Sequence, residues 1–147
     1  MKKFVFNLQR LLTLKEQKGD LLRQELSRLV FKRGQHEHVK FYYENSMATV
    51  FDKMRNQTQF SGEDREQSER HVSSIRDEIY RQKIILQEYD LKIEKKRQEI
   101  IENRKEVKTM ERLREQKLEE YRYEVMVDER RLMDEIATRR PLRVMGE

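Results

Sequence analysis

The stretch that decides the fold is residues 72–110, which read VSSIRDEIYRQKIILQEYDLKIEKKRQEIIENRKEVKTM. Its apolar residues recur at alternating intervals of three and four, and polar residues fill the remaining positions of the pattern. A spacing of about 3.5 residues keeps one narrow face of a helix directed at a partner helix over many turns. The stretch therefore predicts a coiled coil, whose contact face consists of Val72, Ile75, Ile79, Gln82, Leu86, Tyr89, Ile93, Lys96, Ile100, Asn103, Val107 and Met110.

The composition of the whole chain agrees with this prediction. Of the 147 residues, 41% are charged and only 35% are hydrophobic, so the chain cannot bury a large globular core. The apolar residues are nevertheless too periodic for simple disorder. No stretch approaches the ~20 apolar residues of a membrane span, and the first residues lack the apolar run of a signal peptide. The predicted fold class is all-α, a long antiparallel two-helix coiled-coil hairpin.

The hairpin follows from one strong break in the helical pattern. Polar residues and a glycine at about 56–61 predict a turn, and Ser61 with Asp64 reads as a capping box that opens a second helix. We predict helix 1 over about 4–55 and helix 2 over about 62–139. Pro141 is the expected terminator, and 140–147 forms a C-terminal tail. Residues 1–147 then make a single hairpin, because a short turn between long helices returns the chain antiparallel to itself.

The position of the turn also predicts which residues face each other. If the turn is centred near residue 59, the numbers of facing residues sum to about 118. Leu8 then faces Met110, and Leu11 lies in the same seam. His36 falls opposite Gln82, which predicts one polar layer that helps to fix the register.

The two arms of this hairpin are unequal in length. The first arm is expected to end opposite residue ~114, because helix 1 is the shorter, yet the apolar stripe of helix 2 continues beyond that point. An amphipathic helix alone in water is only marginally stable, so we expect another molecule to cover this overhang. The alternatives are that it frays or pairs with a second copy of the chain. The overhanging stripe consists of Leu118, Tyr121, Val125, Leu132 and Ile136.

Several classes of chemistry find no support in the sequence. His36 and His38 are two apart and point to different faces of a helix, whereas metal-binding helices place histidines four apart. Acid pairs lie on open helices where nothing shifts their pKa toward catalytic use. Acidic and basic residues alternate closely, which is unlike a nucleic-acid-binding surface. The expected basic gathering lies at the open end of the hairpin, with Lys2, Lys3, Arg10, Arg139, Arg140 and Arg143.

Short segments distributed along the whole chain carry a family resemblance. They are Phe4-Val5-Phe6, Leu11-Leu12-Thr13-Leu14-Lys15-Glu16, Tyr43-Glu44-Asn45, Val72-Ser73-Ser74-Ile75, Ile79-Tyr80, Glu106-Val107-Lys108 and Met133-Asp134-Glu135-Ile136. As a collinear set they resemble FliJ, a small soluble component of the bacterial flagellar export apparatus. The resemblance implies a non-enzymatic stalk without cofactor or metal, located in the cytoplasm and peripherally on the cytoplasmic face of the cell membrane.

The resemblance also implies partners. They are the hexameric export ATPase FliI, whose ring receives the end of the hairpin that holds both termini, the export-gate protein FlhA and substrate chaperones. No nucleic acid or small-molecule substrate is expected. The predicted ATPase-ring contacts are Leu118, Tyr121, Val125, Leu132, Ile136, Arg139 and Arg140. The predicted export-gate contacts, taken from the family by analogy, are His36, Lys40, Tyr43, Met47, His71, Ile75, Glu78 and Gln82.

The proposed contacts have plainer interpretations. The gate set also reads as ordinary seam and flank of the hairpin. In addition, His71, Lys40 and Glu78 stand where relatives tend to carry aromatic or apolar residues. Two other functions fit the same fold: an adaptor that mainly recruits chaperones to the gate, and a self-associating coiled-coil spacer unrelated to an ATPase.

Overall fold

The protein folds as two long helices, as the sequence predicts. The structure, a computed structural model, describes residues 2–56 and 61–145, and side chains as far as residue 139. Helix α1 is Gln9–Asn56 and helix α2 is Gly62–Met145. The prediction of an all-α helical hairpin is confirmed. Most of the predicted turn, residues 57–60, lies outside the described residues.

The start of α2 follows the predicted cap, and its end differs from the prediction. The Ser61 hydroxyl accepts a hydrogen bond from the backbone N–H of Asp64 at 3.2 Å, which satisfies one of the free donors of the first turn. At the other end the helix does not stop at about residue 139, because the backbone stays helical through Pro141 to Met145. A proline ring removes one hydrogen-bond donor, but its fixed φ is itself helical.

The start of α1 corrects the prediction in a way that matters for function. The helix begins at Gln9, not near Phe4, and residues 2–6 form a non-helical segment that ends in a turn at residues 7 and 8. The backbone N–H of Gln9 donates to the Phe6 carbonyl at 3.0 Å and closes this turn. We call residues 2–8 the N-terminal strap.

The chain divides into two compact units, and the first contains residues 1–19 and 102–147. Its core packs Phe6 and Leu12 against Met110. The predicted seam residues Leu8 and Leu11 are instead 41% and 45% exposed. Met110 therefore meets Leu12, one helical turn beyond the predicted partner Leu8, and Phe6 of the strap completes this cluster.

A close approach of the two helices fixes the register in the first unit. Gly19 has no side chain, and the Oδ1 atom of Asn103 lies 2.6 Å from the point that a Cβ at Gly19 would occupy. The Nδ2 atom of Asn103 donates to the Lys15 carbonyl at 3.1 Å, and the Lys15 ammonium pairs with Glu106 at 2.5 Å. Only a glycine leaves room for this buried amide.

The second unit contains residues 20–101 and holds the regular part of the coiled coil. Glu25 pairs with Lys96, and Arg33 pairs with Asp90. As residue numbers rise along α1 the partner numbers fall along α2, so the helices are antiparallel. The buried face of α2 in this unit matches the predicted one and includes Val72, Ile75, Ile79, Gln82, Leu86, Ile93 and Ile100.

The predicted polar layer of the second unit is present. The Nδ1 atom of His36 and the Oε1 atom of Gln82 are 2.9 Å apart, and the imidazole also packs against the ring of Tyr89 with centroids 5.4 Å apart. Val39 has seam spacing with Tyr43 and would be expected in the contact face, but it is 40% exposed, and its neighbour Lys40 is half-buried instead. The long lysine stem covers the seam while its charge reaches water.

Candidate interaction surfaces

The first candidate surface is in the first unit, where α2 is predicted to contact an ATPase ring. One of the predicted residues, Tyr121, is in direct contact with the strap. The hydroxyl of Tyr121 donates to the Lys2 carbonyl at 2.6 Å, and the rings of Phe4 and Tyr121 have centroids 5.6 Å apart. Self-pairing therefore extends to Tyr121, beyond the predicted end near residue 114.

The strap and α2 enclose an open groove of about 900 Å³. Its walls combine aromatic and aliphatic side chains with the stems of charged residues. The groove exists because the strap is not helical, so its backbone passes over α2 without the interdigitation that closes a coiled-coil seam. The α2 residues that line it are Leu113, Lys117, Glu120, Tyr121 and Glu124.

Beyond the strap, α2 carries an exposed apolar stripe. Among the predicted ring contacts, Leu118, Tyr121 and Val125 are half-buried. Leu132 is 59% exposed and Ile136 is 49% exposed. Arg139 is exposed, whereas the side chain of Arg140 lies outside the described part of the chain.

The structure adds apolar residues that sequence periodicity missed. Val5 on the strap is 75% exposed, and Leu8 and Leu11 are exposed although the hairpin register assigned them to the seam. Tyr123 and Met133 on α2 are 64% and 69% exposed. The seam pattern does not show that α1 begins only at Gln9. It therefore gives no sign that Val5 and Leu8 are exposed. These residues enlarge the apolar surface of the first unit.

The second candidate surface, the predicted gate contact, lies in the second unit. Its members from α1, His36, Lys40, Tyr43 and Met47, are all half-buried. Those from α2 differ: His71 is exposed, Glu78 is half-buried, and Ile75 and Gln82 are only 4% and 9% exposed. A folded hairpin therefore offers six of these eight side chains to a partner, while the two buried residues hold the helices together.

The charged flanks set the local electrostatics of both units. The Lys15 ammonium, by hydrogen bond and by charge, lowers the pKa of Glu106 from its ordinary value of 4.5. Hydrogen bonds to Glu25 and then Glu99 raise the pKa of Lys96, and a hydrogen bond to Asp90 raises the pKa of Arg33. In each pair between the two helices a half-buried basic residue meets an exposed acidic one, and these pairs hold the facing flanks in register. None resembles a catalytic group, which would combine burial with a shifted pKa.

Membrane-spanning helices and metal-binding clusters are both absent from residues 2–56 and 61–145. In that part of the chain no helix has the length and apolar character needed to cross a membrane. No cluster of three or more histidine, cysteine or acidic side chains with metal-binding geometry occurs in the same part. His36 instead bonds Gln82, which is the seam interpretation of that residue.

The chain matches the model of a known protein family. The family model described as "Flagellar FliJ protein" matches residues 4–146. No curated protein and no solved structure matches the chain. The match includes the strap from Phe4 onward, both helices and the exposed stripe of α2.

Proposed function

Because the chain belongs to the flagellar FliJ family and is thus a flagellar export component, we propose that it acts as a stalk whose first unit binds and promotes a hexameric export ATPase. One observation supports this proposal most: α2 continues past the strap with Leu132 and Ile136 exposed. An apolar stripe on a single helix in water gains stability only when a partner covers it. A ring with a central opening offers such cover on all sides.

The surface of the first unit has the composition that a ring interior would require. Exposed apolar side chains lie on both the strap and α2, and Val5 and Leu8 line the groove between them. Exposed charged residues of both signs flank it, with Lys2, Lys3 and Arg139 basic and Asp128 and Glu135 acidic. Apolar anchors in the centre and charges at the rim are typical of protein interfaces. Charges of both signs on the inner wall of the ring would complement this rim and orient the stalk.

The second unit is proposed to couple the ATPase to the export gate and to receive substrate chaperones. Its accessible contacts are His36, Lys40, Tyr43 and Met47 on α1, with His71 and Glu78 on α2. Ile75 and Gln82 are not accessible to a partner, and they contribute by packing the two helices together beneath this surface. Association with the gate would place the protein peripherally at the cytoplasmic face of the membrane.

A pair of matched double variants tests the ring proposal. Leu132→Asp with Ile136→Asp introduces two charges on the exposed stripe, and Ile84→Asp with Leu91→Asp introduces two charges on exposed α2 positions of the second unit. Both variants should fold, since all four side chains are at least 40% exposed. We expect the stripe variant to weaken binding to the purified hexameric ATPase at least tenfold and to abolish stimulation of ATP hydrolysis, while the control variant retains both.

Three measurements distinguish the stalk from the alternative functions. If neither the wild-type protein nor the variants bind the ATPase, the stalk proposal is wrong. A self-associating spacer would instead show a molecular mass that rises with concentration in sedimentation, and Leu132→Asp with Ile136→Asp would abolish that rise. A pure chaperone adaptor would lose partner capture on Tyr43→Ala with His71→Ala and leave ATP turnover unchanged.

A further inference from the structure

The second unit contains a basic groove that neither the ring nor the gate proposal uses. It lies between α1 and α2, has a volume of about 410 Å³, and has half-buried Leu29 in its wall. Four exposed cationic side chains surround it, two from each helix. They are Arg28, Lys32, Lys92 and Lys95, which we call the groove cations.

The groove cations carry charge that no ion pair compensates; they share this with other exposed cations of the hairpin and are distinguished by lining one groove together. Among residues 2–56 and 61–139, none of the four forms an ion pair. The neighbouring Lys96 is already neutralised, because it pairs with Glu25 at 2.6 Å and with Glu99 at 3.1 Å. Lys92 has only a cation–π contact, 5.4 Å from the centroid of the Tyr89 ring. The groove thus has unpaired positive charge beside a compensated pair.

Gathering like charges on facing helices is unfavourable unless an anion binds there. At two other positions of this unit a cation pairs with an acid of the facing helix, as Arg33 does with Asp90 and Lys96 does with Glu25, and such pairing is the usual device that stabilises a register. Four cations around one groove repel one another, and this repulsion opposes folding. Their arrangement is explained by a ligand whose charge is complementary.

We propose that this groove binds an acidic amphipathic segment of a protein partner. Arg28 and Lys32 are four residues apart on α1, and Lys92 and Lys95 are three apart on α2, so the cations of each helix span about one turn, ~5 Å. Carboxylates one turn apart on a partner helix would match that spacing. The aliphatic lysine stems and Leu29 supply apolar surface for the same segment.

The chemistry of the groove favours carboxylates over phosphates or a membrane. Three of the four groove cations are lysines, which act as flexible point charges, whereas phosphate recognition favours the planar fork of arginine. A lipid surface is flat and would meet a ridge better than a groove between two helices. The proposal does not depend on ring binding, since all four groove cations are in the second unit.

Charge-neutral substitution tests the groove. Arg28→Gln, Lys32→Gln, Lys92→Gln and Lys95→Gln are combined in one variant. The control removes the same charge from exposed cations of the same unit that do not line the groove, with Lys53→Gln, Arg65→Gln, Arg76→Gln and Lys83→Gln. The probe is a fluorescein-labelled peptide of repeated Glu-Ala-Leu-Glu units, and its uncharged counterpart uses Gln in place of Glu.

Fluorescence anisotropy at low salt should show that the wild-type protein binds the acidic peptide and not the uncharged one. The groove variant should bind at least about tenfold more weakly, since each surface ion pair contributes a fraction of a kcal/mol, and the control variant should bind as the wild type does. Circular dichroism should show the same helix content for all three. If the groove variant fails to fold, Lys32→Gln with Lys92→Gln gives the same test with half the change.

Four results would overturn the proposal. They are absence of peptide binding by the wild-type protein, equal loss in the groove and control variants, full binding by the groove variant, and groove-dependent binding of inorganic polyphosphate or phosphatidylserine vesicles in place of the peptide. The second result would mean that net charge alone attracts the peptide. The last would mean that the groove recognises phosphate groups.

Discussion

The close contact between Gly19 and Asn103 predicts opposite effects of one substitution at two glycines of the same helix. Replacing a glycine inside a helix by alanine gains about 1 kcal/mol of helix propensity. At Gly34 nothing lies within 4 Å of the added Cβ, so Gly34→Ala should stabilise the protein by about that amount. At Gly19 the Cβ would come 2.6 Å from Asn103 Oδ1, which is closer than atoms can approach.

The cost at Gly19 follows from what Asn103 has to give up. Its side chain is 6% exposed, and moving it away breaks the hydrogen bond from Nδ2 to the Lys15 carbonyl. A buried polar group left without a partner costs about 1–3 kcal/mol. Gly19→Ala should therefore be about 1–3 kcal/mol less stable than Gly34→Ala, because the helix-propensity gain is the same in both variants.

Urea denaturation followed by circular dichroism measures this difference, provided that the slope of the unfolding free energy against urea is equal in the variants. Adding Asn103→Ala to each protein completes a thermodynamic cycle. In that background Gly19→Ala should become stabilising, since the clashing amide is gone. If Gly19→Ala stabilises the otherwise wild-type protein as much as Gly34→Ala does, the close contact does not fix the register.

Three further predictions concern single contacts. The pKa of Glu106 is lowered in the folded state, so the contribution of its carboxylate to stability is present above pH 4.5 and is lost as the pH falls through the lower folded pKa. The difference in unfolding free energy between wild type and Glu106→Gln should therefore shrink on acidification. A difference that stays constant with pH would contradict this. Tyr121→Phe removes the hydrogen bond to the Lys2 carbonyl and should speed amide exchange in the strap, with unchanged exchange as the contrary result. Gln82→Ala leaves the His36 ring without its partner and should destabilise the protein by about 1–3 kcal/mol in urea denaturation, whereas a neutral effect would mean that the polar layer is dispensable.

The sequence predicted the coiled coil well because the periodic face of α2 is both long and strict. All twelve positions of the predicted face are buried or half-buried, and the pairing of His36 with Gln82 occurs as expected. The cap at Ser61 was also readable, since a hydroxyl side chain three residues before an acid is a local signal. Local signals of this kind need no knowledge of the partner helix.

The strap could not be predicted from the same pattern. Phe4, Leu8 and Leu11 have the spacing of a helical seam, so the pattern predicts a helix from Phe4. The structure instead gives residues 2–6 a non-helical path that packs Phe6 on Met110 and Phe4 on Tyr121. Which of these two arrangements buries more apolar surface depends on the facing helix, and no residue within the segment reports it.

The candidate ring surface shows the same division. Periodicity identified the stripe with Leu132 and Ile136, because an apolar face that outlasts its partner is visible in the chain itself. It placed Leu8 and Leu11 in the seam, where the structure leaves both exposed, and it placed Tyr121 on the free surface, where the strap contacts it. The basic groove was equally hidden, since its cations come from segments more than fifty residues apart that only the fold brings together.

By itself the sequence determined that this protein is two long helices with one helix longer than the other, because spacing and capping act over a few residues. The tertiary structure decided where self-pairing ends, which leucines face solvent, and which charges lack a partner. The physical reason is that exposure and ion pairing depend on the atoms across the interface. A shift of one helical turn at Met110 was enough to move Leu8 out of the core and onto the surface.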